Sequence, residues 1–470
     1  MRMLSPTGIP GFDDVFKGLP KAGLVILAGG PGVGKTIFSA SYLYHGATRY
    51  QEPGLYVSLA ESREEFYENM TVLGMDFERL ETYGLFSFME LPTLMESSGM
   101  MFSRIMEEAE KVGAKRLVID SMTALAQSVK STEELRTFLH TLLLNFVKKV
   151  SCTAILIEEI PRGIETLGRG VEEFVASAVI ELEQQIHNER SIRVIKIPKL
   201  RGGRLERKQA LFTLDRGFKV FSYKPVRELK PVERYRPLPQ PAKGFSTGMA
   251  YLNELLGGYP EGATIFFEMN PDIEHREAVP IFANVLADFI HKGKPAIIMP
   301  LTGFTSDELK TILKLYGFSE DEYASLLRIF VNKELAQECK LPYVLSFDPD
   351  NVAESIGITE EELRKESGYF PVKLINLDQI ALAQEPSETL HLINHEIGKT
   401  KACGGLLVIV SRRLFEQLAE DVGSLADMHF KIERLLNVPV IYGLKPPTPI
   451  LAMEIDYSKG YPQAVLTPII

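Results

Sequence analysis

The glycine-rich segment Gly29–Thr36, which reads GGPGVGKT, constrains the fold more than any other feature of the sequence. It fits the pattern G-x-x-x-x-G-K-[ST], follows an apolar segment at Leu24–Ala28, and precedes a stretch with helical periodicity. Glycines let backbone N–H groups converge on phosphate oxygens, and the N-terminus of the next helix attracts anions. The segment therefore predicts a phosphate-binding loop between a strand and a helix.

The spacing of apolar segments predicts the fold class of the first half. Four short segments are rich in β-branched and aliphatic residues, and longer amphipathic stretches separate them: Leu24–Ala28, Leu55–Leu59, Arg116–Asp120 and Ala154–Ile157. Strands of this kind are typical of a mostly parallel sheet that helices cover on both faces. We expect an α/β domain.

The segment Arg116–Asp120 ends in a carboxylate, as does the strand that holds Mg²⁺ through water in nucleotide-binding proteins with this loop. The lysine of the loop is expected to contact the β- and γ-phosphates, and the threonine hydroxyl is a ligand for the metal. The candidate nucleotide-binding residues are Gly30, Pro31, Gly32, Val33, Gly34, Lys35, Thr36 and Asp120. The candidate metal ligands are Thr36 and Asp120, and the expected cofactors are ATP and Mg²⁺.

A proline-rich segment divides the chain. Five prolines fall within residues 224–243, which is too many for a helix or a central strand, so we expect an extended linker there. After it the sequence repeats, because Thr7–Thr36 aligns without a gap with Thr247–Arg276. The predicted organisation is an ATP-binding domain at 1–223, a linker at 224–243, and a second copy of the domain at 244–470.

The second copy lacks the phosphate-binding residues. Glu274–Arg276 stands opposite Gly34–Thr36, and Leu377 falls opposite Asp120, with Asp378 next to it. The loop also carries three carboxylates, which repel a polyphosphate: Glu268, Asp272 and Glu274. We expect a degenerate domain that does not bind nucleotide.

Composition excludes several classes of protein. The chain has 470 residues and a net charge of −10, which disfavours a surface for nucleic-acid phosphates. Cys152, Cys339 and Cys403 are odd in number and lack metal-ligand spacing, so neither a disulfide framework nor a thiolate metal site is predicted. The sequence has no apolar leader and no run of about 18 apolar residues, so we expect a cytoplasmic protein without a membrane span.

Three segments resemble the KaiC family, the duplicated branch of the RecA-type ATPases: residues 7–23, Gly170–Val175 and Lys199–Gly202. The resemblance covers residues 5–222 with high specificity and residues 244–470 with lower specificity. Archaeal KaiC-like proteins, including the gas-vesicle regulator GvpD type, show a similar tandem pattern. The resemblance implies two tandem RecA-like domains and a homo-oligomeric ring, with a hexamer as the expected size.

The resemblance also implies that Lys199 and Arg201 act on the γ-phosphate of the neighbouring protomer's ATP, where cations stabilise the charge of the transferred phosphoryl group. The basic residues around them are also compatible with a solvated strand edge or a nucleic-acid stripe. The family carries two glutamates after its second strand, and the first is the base that orients water. Here Ala60 takes that place and Glu61 follows, so Glu61 is the candidate base and Glu158 and Glu159 are weaker candidates.

These features predict an ATP-dependent regulatory or assembly switch that hydrolyses ATP slowly, with a regulatory protein as a further partner. Two alternatives remain open at this point. One is a DNA recombinase or nucleic-acid motor of the RecA/RadA type, which the net charge disfavours. The other is a non-hydrolysing ATP-binding scaffold, which the Ala60 departure favours.

Overall fold

The computed structural model describes residues 4–91, 98–121, 144–160, 175–222, 233–241, 244–348 and 351–470. The chain forms two compact units, Met1–Tyr223 together with Ile469–Ile470, and Lys224–Pro468. Within the described residues, no helix is both long enough and apolar enough to cross a bilayer.

The first unit alternates strands and helices. Its strands are β1 (Leu4–Ser5), β2 (Leu19–Pro20), β3 (Leu24–Gly29), β4 (Gly54–Ser58), β5 (Phe86–Glu90), β6 (Arg116–Asp120), β7 (Thr153–Glu159), β8 (Ala178–His187), β9 (Arg190–Leu200), β10 (Gln209–Thr213) and β11 (Lys219–Val220). Its described helices are α1 (Phe12–Phe16), α2 (Lys35–Tyr50), α3 (Arg63–Val72), α4 (Phe77–Thr82), α5 (Ser98–Val112) and α6 (Leu144–Lys149).

The main sheet of the first unit has the strand order β5-β4-β6-β7-β3-β8-β9-β10-β11. Strands β5 to β8 in this order are parallel, and β8 to β11 are joined by antiparallel pairing. All six residues of β3 are buried, because apolar clusters cover both faces of the sheet. This burial explains the continuous apolar character of Leu24–Ala28 in the sequence.

The second unit has the same alternation. Its strands are β12 (Thr264–Met269), β13 (Ala296–Ile298), β14 (Leu327–Val331), β15 (Val344–Ser346), β16 (Val372–Asn376), β17 (Leu407–Ser411), β18 (Met428–Leu435), β19 (Val438–Lys445), β20 (Leu451–Asp456) and β21 (Gln463–Pro468). Its described helices are α7 (Ala250–Leu256), α8 (His275–His291), α9 (Ser306–Lys314), α10 (Glu320–Leu326), α11 (Lys333–Cys339), α12 (Val352–Ser367), α13 (Leu377–Ala381), α14 (Pro386–Cys403) and α15 (Glu416–Leu425).

The two main sheets share one topology. The second sheet has the order β15-β14-β13-β16-β17-β12-β18-β19-β20-β21. Read in this order, every strand after β15 has a counterpart at the same position in the first sheet. The switch from parallel to antiparallel pairing also falls at the matching strand, β18. Only the edge strand β15 has no match in the first sheet as described. The predicted fold class, two tandem α/β domains with mostly parallel sheets flanked by helices, is confirmed.

Part of the proline-rich segment packs onto the second unit. Tyr235 is buried there, its N–H donates to the carbonyl of Tyr316 at 2.9 Å, and its hydroxyl donates to the carbonyl of Asn284 at 3.1 Å. The guanidinium of Arg234 forms a bidentate pair with Glu322. Tyr235 and Arg234 therefore anchor this part of the segment to the second unit, while the other residues of 233–241 are exposed or half-buried.

Candidate nucleotide-binding site

The glycine-rich loop connects the end of β3 to the start of α2. Gly32 and Gly34 have positive φ angles of 73° and 104°, which favour glycine. A Cβ atom on Gly34 would lie 2.8 Å from the side chain of Leu214, and one on Gly29 would lie 2.6 Å from the carbonyl oxygen of Leu182. Gly34 is thus required by both the backbone and the packing, Gly32 by the backbone, and Gly29 by the packing.

The N-terminus of α2 is open to a ligand. Its N-cap residue is Gly34, so no side chain accepts from the first amide groups of the helix. A Cβ atom on Gly32 would meet nothing within 4 Å, and Pro31 and Gly32 are exposed. Val33 is buried and turns its side chain into the core. The loop therefore presents backbone amides and the positive end of a helix to solvent, which suits an anion.

Lys35 is buried at the start of α2, and its ammonium group is held by the loop itself. Its Nζ donates to the carbonyl oxygens of Gly29 at 2.9 Å and Gly30 at 2.8 Å. Burial lowers the pKa of Lys35, and the negative charges of Glu159 and Asp120 oppose this only in part. The cation is therefore fixed beside the loop, where phosphate oxygens of a bound nucleotide would stabilise its charge.

Thr36 and Asp120 meet at the carboxyl ends of β3 and β6. The hydroxyl of Thr36 lies 3.4 Å from Oδ2 of Asp120, and the hydroxyl of Tyr56 donates to the same oxygen at 2.7 Å. Burial raises the pKa of Asp120, while the hydrogen bond from Tyr56 and the charge of Lys35 oppose the rise. A buried carboxylate with a raised pKa is stabilised by a nearby cation.

The donor set fits Mg²⁺ rather than a metal held by protein alone. In the described ranges, no group of three or more His, Cys, Asp or Glu side chains could hold a metal ion. Thr36 and Asp120 offer two oxygens, and Mg²⁺ commonly takes its other ligands from water and substrate phosphates.

Glu61 lies in a turn at the end of β4, on the same sheet edge as Asp120. The hydroxyl of Ser58 accepts from the N–H of Glu61 at 2.9 Å and donates to its carbonyl at 2.6 Å, which fixes the turn. Oε1 of Glu61 accepts from Asn69 at 3.1 Å. Burial raises the pKa of Glu61, the Asn69 hydrogen bond opposes this, and the charge of Asp120 adds to the rise. Ala60 is exposed.

Lys199 and Arg201 lie away from the loop of their own chain. Lys199 pairs with Val179, which pairs with Ile26 near the start of β3. At ~3.3 Å per residue, Lys199 lies roughly 13 Å along the strand before Gly30, and two strand spacings of ~4.8 Å separate β9 from β3. The N–H of Arg201 donates to the carbonyl oxygen of Ser177 at 2.8 Å. Ser177 directly precedes β8, so Arg201 also lies at the end of the sheet that is away from the loop. These two residues are therefore not brought together with the other site residues of one chain.

Two residues outside the predicted site contact it. Nη1 of Arg193 donates to the carbonyl of Gly32 at 3.3 Å, because β9 carries Arg193 past the end of β3. Tyr56 contacts Asp120 as described. Arg193 stood out in the sequence only as one of several basic residues, and Tyr56 as one residue of an apolar strand. Neither contact has a local sequence signal, since each depends on strand pairing.

Glu158 and Glu159 end β7 beside the loop strand. Glu158 is buried and pairs in register with Ala28, and Glu159 pairs with Gly29. The charge of Glu159 acts on the pKa of Lys35. Both glutamates thus lie at the edge of the sheet that carries the site. The family-like segment Gly170–Val175 lies outside the described residues except for Val175.

The matching loop of the second unit is closed by its own side chains. The N-cap residue of α8 is Glu274, whose side chain accepts from the N–H of Glu277, while the side chain of Glu277 accepts from the N–H of Glu274 at 2.9 Å. In this capping box a side chain satisfies the amide of Glu274, whereas no side chain caps the start of α2. The ring of His275 stacks on Phe304 and its Nε2 contacts the carbonyl of Thr302 at 3.0 Å.

The alignment of Leu377 with Asp120 is wrong. In the first sheet Ala28 pairs with Glu158, and Asp120 follows Ile119, which pairs with Leu156. In the second sheet Glu268, 240 residues after Ala28, pairs with Ser411, and Asn376 pairs with Val410. Counted along the paired strands, Asn376 therefore occupies the position in the second sheet that Asp120 occupies in the first. Its amide donates to Pro300 at 2.9 Å and its Oδ1 caps α13, so a neutral group takes the position of the acid.

The three carboxylates of the second loop do not lie unopposed, contrary to the repulsion expected from the sequence. Each has a cationic partner: Arg413 lies 3.3 Å from Glu268, Arg434 lies 3.8 Å from Asp272, and Arg276 lies 2.5 Å from Glu274. Burial raises the pKa of Glu268, but His429 and Arg413 outweigh it and hold the pKa below its usual value. The lost lysine and the closed helix start, rather than net repulsion, distinguish this loop from the first.

Comparison with known proteins gives matches to KaiC and KaiC-like proteins. The family described as ATPase: KaiC matches residues 5–224. The circadian clock protein KaiC2 of Synechocystis sp. is 32% identical over 273 residues, which are 55% of this chain and 46% of that protein. The circadian clock oscillator protein KaiC of Prochlorococcus marinus subsp. pastoris is 31% identical over 54% of this chain and 50% of its own length.

Among solved structures, a KaiC-like protein from the hyperthermophilic archaeon Pyrococcus horikoshii OT3 is 33% identical, and the match covers 47% of this chain and all of that one, with a TM-score of 0.43. The chain spans about half the length of the curated relatives it matches.

The fold and the loop of the first unit define a P-loop nucleotide-binding α/β domain of the RecA-like type. The sequence matches specify it further. Residues 5–224 match the KaiC family of RecA-like ATPases.

Proposed function

We propose that the first unit binds one MgATP at residues 30–36 and Asp120 and hydrolyses it slowly. The observation that supports this most is the meeting of Lys35, Thr36 and Asp120 at an uncapped helix start. Three elements, β3, α2 and β6, are needed to bring these groups together, and a chance glycine-rich turn would not supply them.

Each group has a distinct part in this proposal. Lys35 would contact the β- and γ-phosphates, and Thr36 and Asp120 would hold Mg²⁺, which would neutralise the charge that develops on the phosphoryl oxygens. Glu61 orients the attacking water from a turn that Ser58 fixes. The raised pKa of its carboxyl group makes it a stronger base than an exposed glutamate.

We further propose that Lys199 and Arg201 complete the site of a neighbouring protomer. Their distance from the loop of their own chain supports this, because no side chain spans a separation of roughly 13 Å along the sheet and two strands across it. The proposed assembly is a homo-oligomeric ring, with six protomers as the expected number, in which the γ-phosphate fixes the packing of protomers. The protein would act as an ATP-dependent assembly or regulatory switch.

A second candidate function is a non-hydrolysing ATP-binding scaffold. It is favoured by Ala60, which offers no carboxylate, and by the hydrogen bond that already engages Glu61 with Asn69. The binding residues are the same in both functions. Turnover of ATP distinguishes them.

The test measures particle mass with and without MgATP, together with phosphate release on the same sample. We expect a larger assembly with MgATP and slow phosphate release. Lys35→Ala should abolish both, because it removes the charge that bridges the phosphates. The control is Lys21→Ala, which changes an exposed lysine of the same unit. Assembly without phosphate release would favour the scaffold, and equal behaviour of the two variants would refute the assignment of the loop.

A further inference from the structure

The second unit contains a half-enclosed apolar cavity of about 100 Å³. It lies between α8, α9 and α10 and the face of the sheet below them. Its walls are formed by aliphatic and aromatic side chains, of which Phe282, Leu286, Ile298, Ile312, Phe318 and Tyr323 are representative. No Asp, Glu, Lys, Arg or His is among the lining residues.

The cavity arises from a difference between the two copies of the fold. In the first unit, Tyr56 of β4 lies beside Phe88 of β5 with the rings stacked at 5.5 Å, and Phe66 packs against Tyr56 at 4.5 Å. When the two sheets are aligned by their strand pairing, Ile298 of β13 takes the position of Tyr56, and Ile329 of β14 takes the position of Phe88. Both isoleucines line the cavity.

A third position shows the same change. Phe86 pairs with Gly54, and the matching pair in the second sheet is Leu327 with Ala296. Leu327 also lines the cavity. Three aromatic rings of a filled core are thus replaced by three smaller aliphatic groups, and the space has not been filled by other described side chains. Protein interiors are normally close-packed, so a void of this size is uncommon.

The phenols around the cavity do not offer it a free polar group. Tyr323 donates to the carbonyl of Leu313 at 2.6 Å, and Tyr235 donates to Asn284. Tyr316 is 3% exposed, and its hydroxyl oxygen is buried rather than open to the cavity. The accessible wall is therefore almost entirely hydrocarbon.

We propose that this cavity is a binding site for a small, uncharged hydrocarbon molecule or for the hydrocarbon end of a larger neutral one. The size admits a short alkyl chain or a single ring, since an apolar cavity of about 150 Å³ binds benzene. The lining excludes a charged ligand, because no counter-charge is present to offset desolvation.

The test is calorimetry on the full chain with two probes of similar size: toluene, which is neutral, and benzoate, which is charged. We expect saturable binding of toluene and no binding of benzoate. Lack of saturable binding of toluene would overturn the proposal.

Variants separate the cavity from other surfaces. Ala283→Leu, on the cavity wall, should abolish binding of toluene, whereas Ala250→Leu, at an exposed alanine of α7, should leave it unchanged. If Ala283→Leu does not fold, Ala287→Val on the same wall serves instead. Unchanged binding in a folded, cavity-filled variant would contradict the site.

Discussion

At the scale of single residues, Glu61 is the position on which turnover depends most in the proposed function. Ser58 fixes its backbone, and burial raises the pKa of its carboxyl group while the charge of Asp120 adds to the rise. A carboxyl group with a raised pKa stays protonated to a higher pH than an ordinary glutamate. A protonated carboxyl group cannot accept the proton of water, so hydrolysis should fail on acidification at a higher pH than it would with an ordinary glutamate as the base.

We predict that phosphate release rises with pH through a value above the usual range of glutamate, and that Glu61→Gln lowers the rate by ~10²–10⁴-fold and removes this rise. Calorimetry should show that MgATP binding is kept. Ala60→Glu should increase the rate, provided that both carboxylates remain ionised side by side. The control is Glu64→Gln, an exposed residue of α3. A fast wild-type rate that Glu61→Gln leaves unchanged would transfer the role to Glu158 or Glu159.

The loop between β3 and α2 could be predicted from the sequence because its parts are local: a strand, a turn and a helix start lie within Leu24–Thr36. It also located Asp120, since a buried strand that ends in an acid is visible without the fold. It could not locate the contact between Arg193 and Gly32, which depends on the register of a hairpin formed far along the chain.

At the scale of elements, the start of one helix distinguishes the two units. Helix α2 begins at a glycine and leaves its amides to a ligand, while α8 begins with a capping box between Glu274 and Glu277. The sequence showed that the glycines and the lysine were lost. It did not show that the helix caps itself, because glutamate is a less common N-cap than serine or aspartate.

The wrong alignment of Leu377 has a physical cause at this scale. The sequence alignment set one spacing between the copies by placing Leu377 opposite Asp120, but the strand ladder requires a spacing one residue shorter and selects Asn376. A shift of one residue moves every side chain of a strand to the other face. Register is therefore set by the sheet.

A buried charge network joins β16 to α12 and α14 in the second unit. Nζ of Lys373 lies 2.5 Å from Glu396 and 3.0 Å from Glu360, and all three side chains are 3% exposed. Burial lowers the pKa of Lys373, but the charges of Glu396 and Glu360 outweigh it and hold the pKa above its usual value. The first unit has no such network at the equivalent position, because strand pairing shows that Leu117 stands there in place of Lys373.

We predict that Lys373→Met lowers the free energy of unfolding of the second unit by about 3–5 kcal/mol, because it leaves the buried carboxylate of Glu396 without its cation and leaves Glu360 with the partly exposed Lys399. Hydrogen exchange of the amides of β16 reports this unit separately from the first. The matched control is Lys365→Met, an exposed lysine of α12 that lies 3.8 Å from Glu361 and should have little effect. Equal protection of the β16 amides in both variants would show that the network does not stabilise the unit.

At the scale of the whole molecule, the two units differ in chemistry although they share a topology. We predict that one MgATP binds per chain, because only the first unit combines the lysine, the hydroxyl, the acid and an open helix start. Calorimetric stoichiometry measures this directly. Thr36→Ala should weaken Mg²⁺-dependent binding, whereas Arg276→Ala at the aligned position of the second unit should not. A stoichiometry of two would refute the prediction.

The distant placement of Lys199 and Arg201 gives a prediction for the assembly. Arg201→Ala should reduce turnover and leave nucleotide affinity within a few-fold, since the residue acts on a neighbour's transition state. Mixing it with Lys35→Ala should restore part of the activity, because some interfaces then combine an intact loop with an intact arginine. Native mass spectrometry establishes that mixed oligomers form. Mixed oligomers without recovery would place the contact within one chain.

The two hydrogen bonds that hold Lys35 against the loop affect the entropy of ligand binding. The carbonyls of Gly29 and Gly30 already immobilise the ammonium group, and a lysine side chain carries about 2 kcal/mol of rotamer entropy. That entropy is lost when the chain folds, so nucleotide binding does not have to supply it again. An arriving phosphate exchanges one set of acceptors for another at a cation that is already in place. The loop is therefore a preorganised anion receptor, and its reorganisation on binding is confined to the lysine tip.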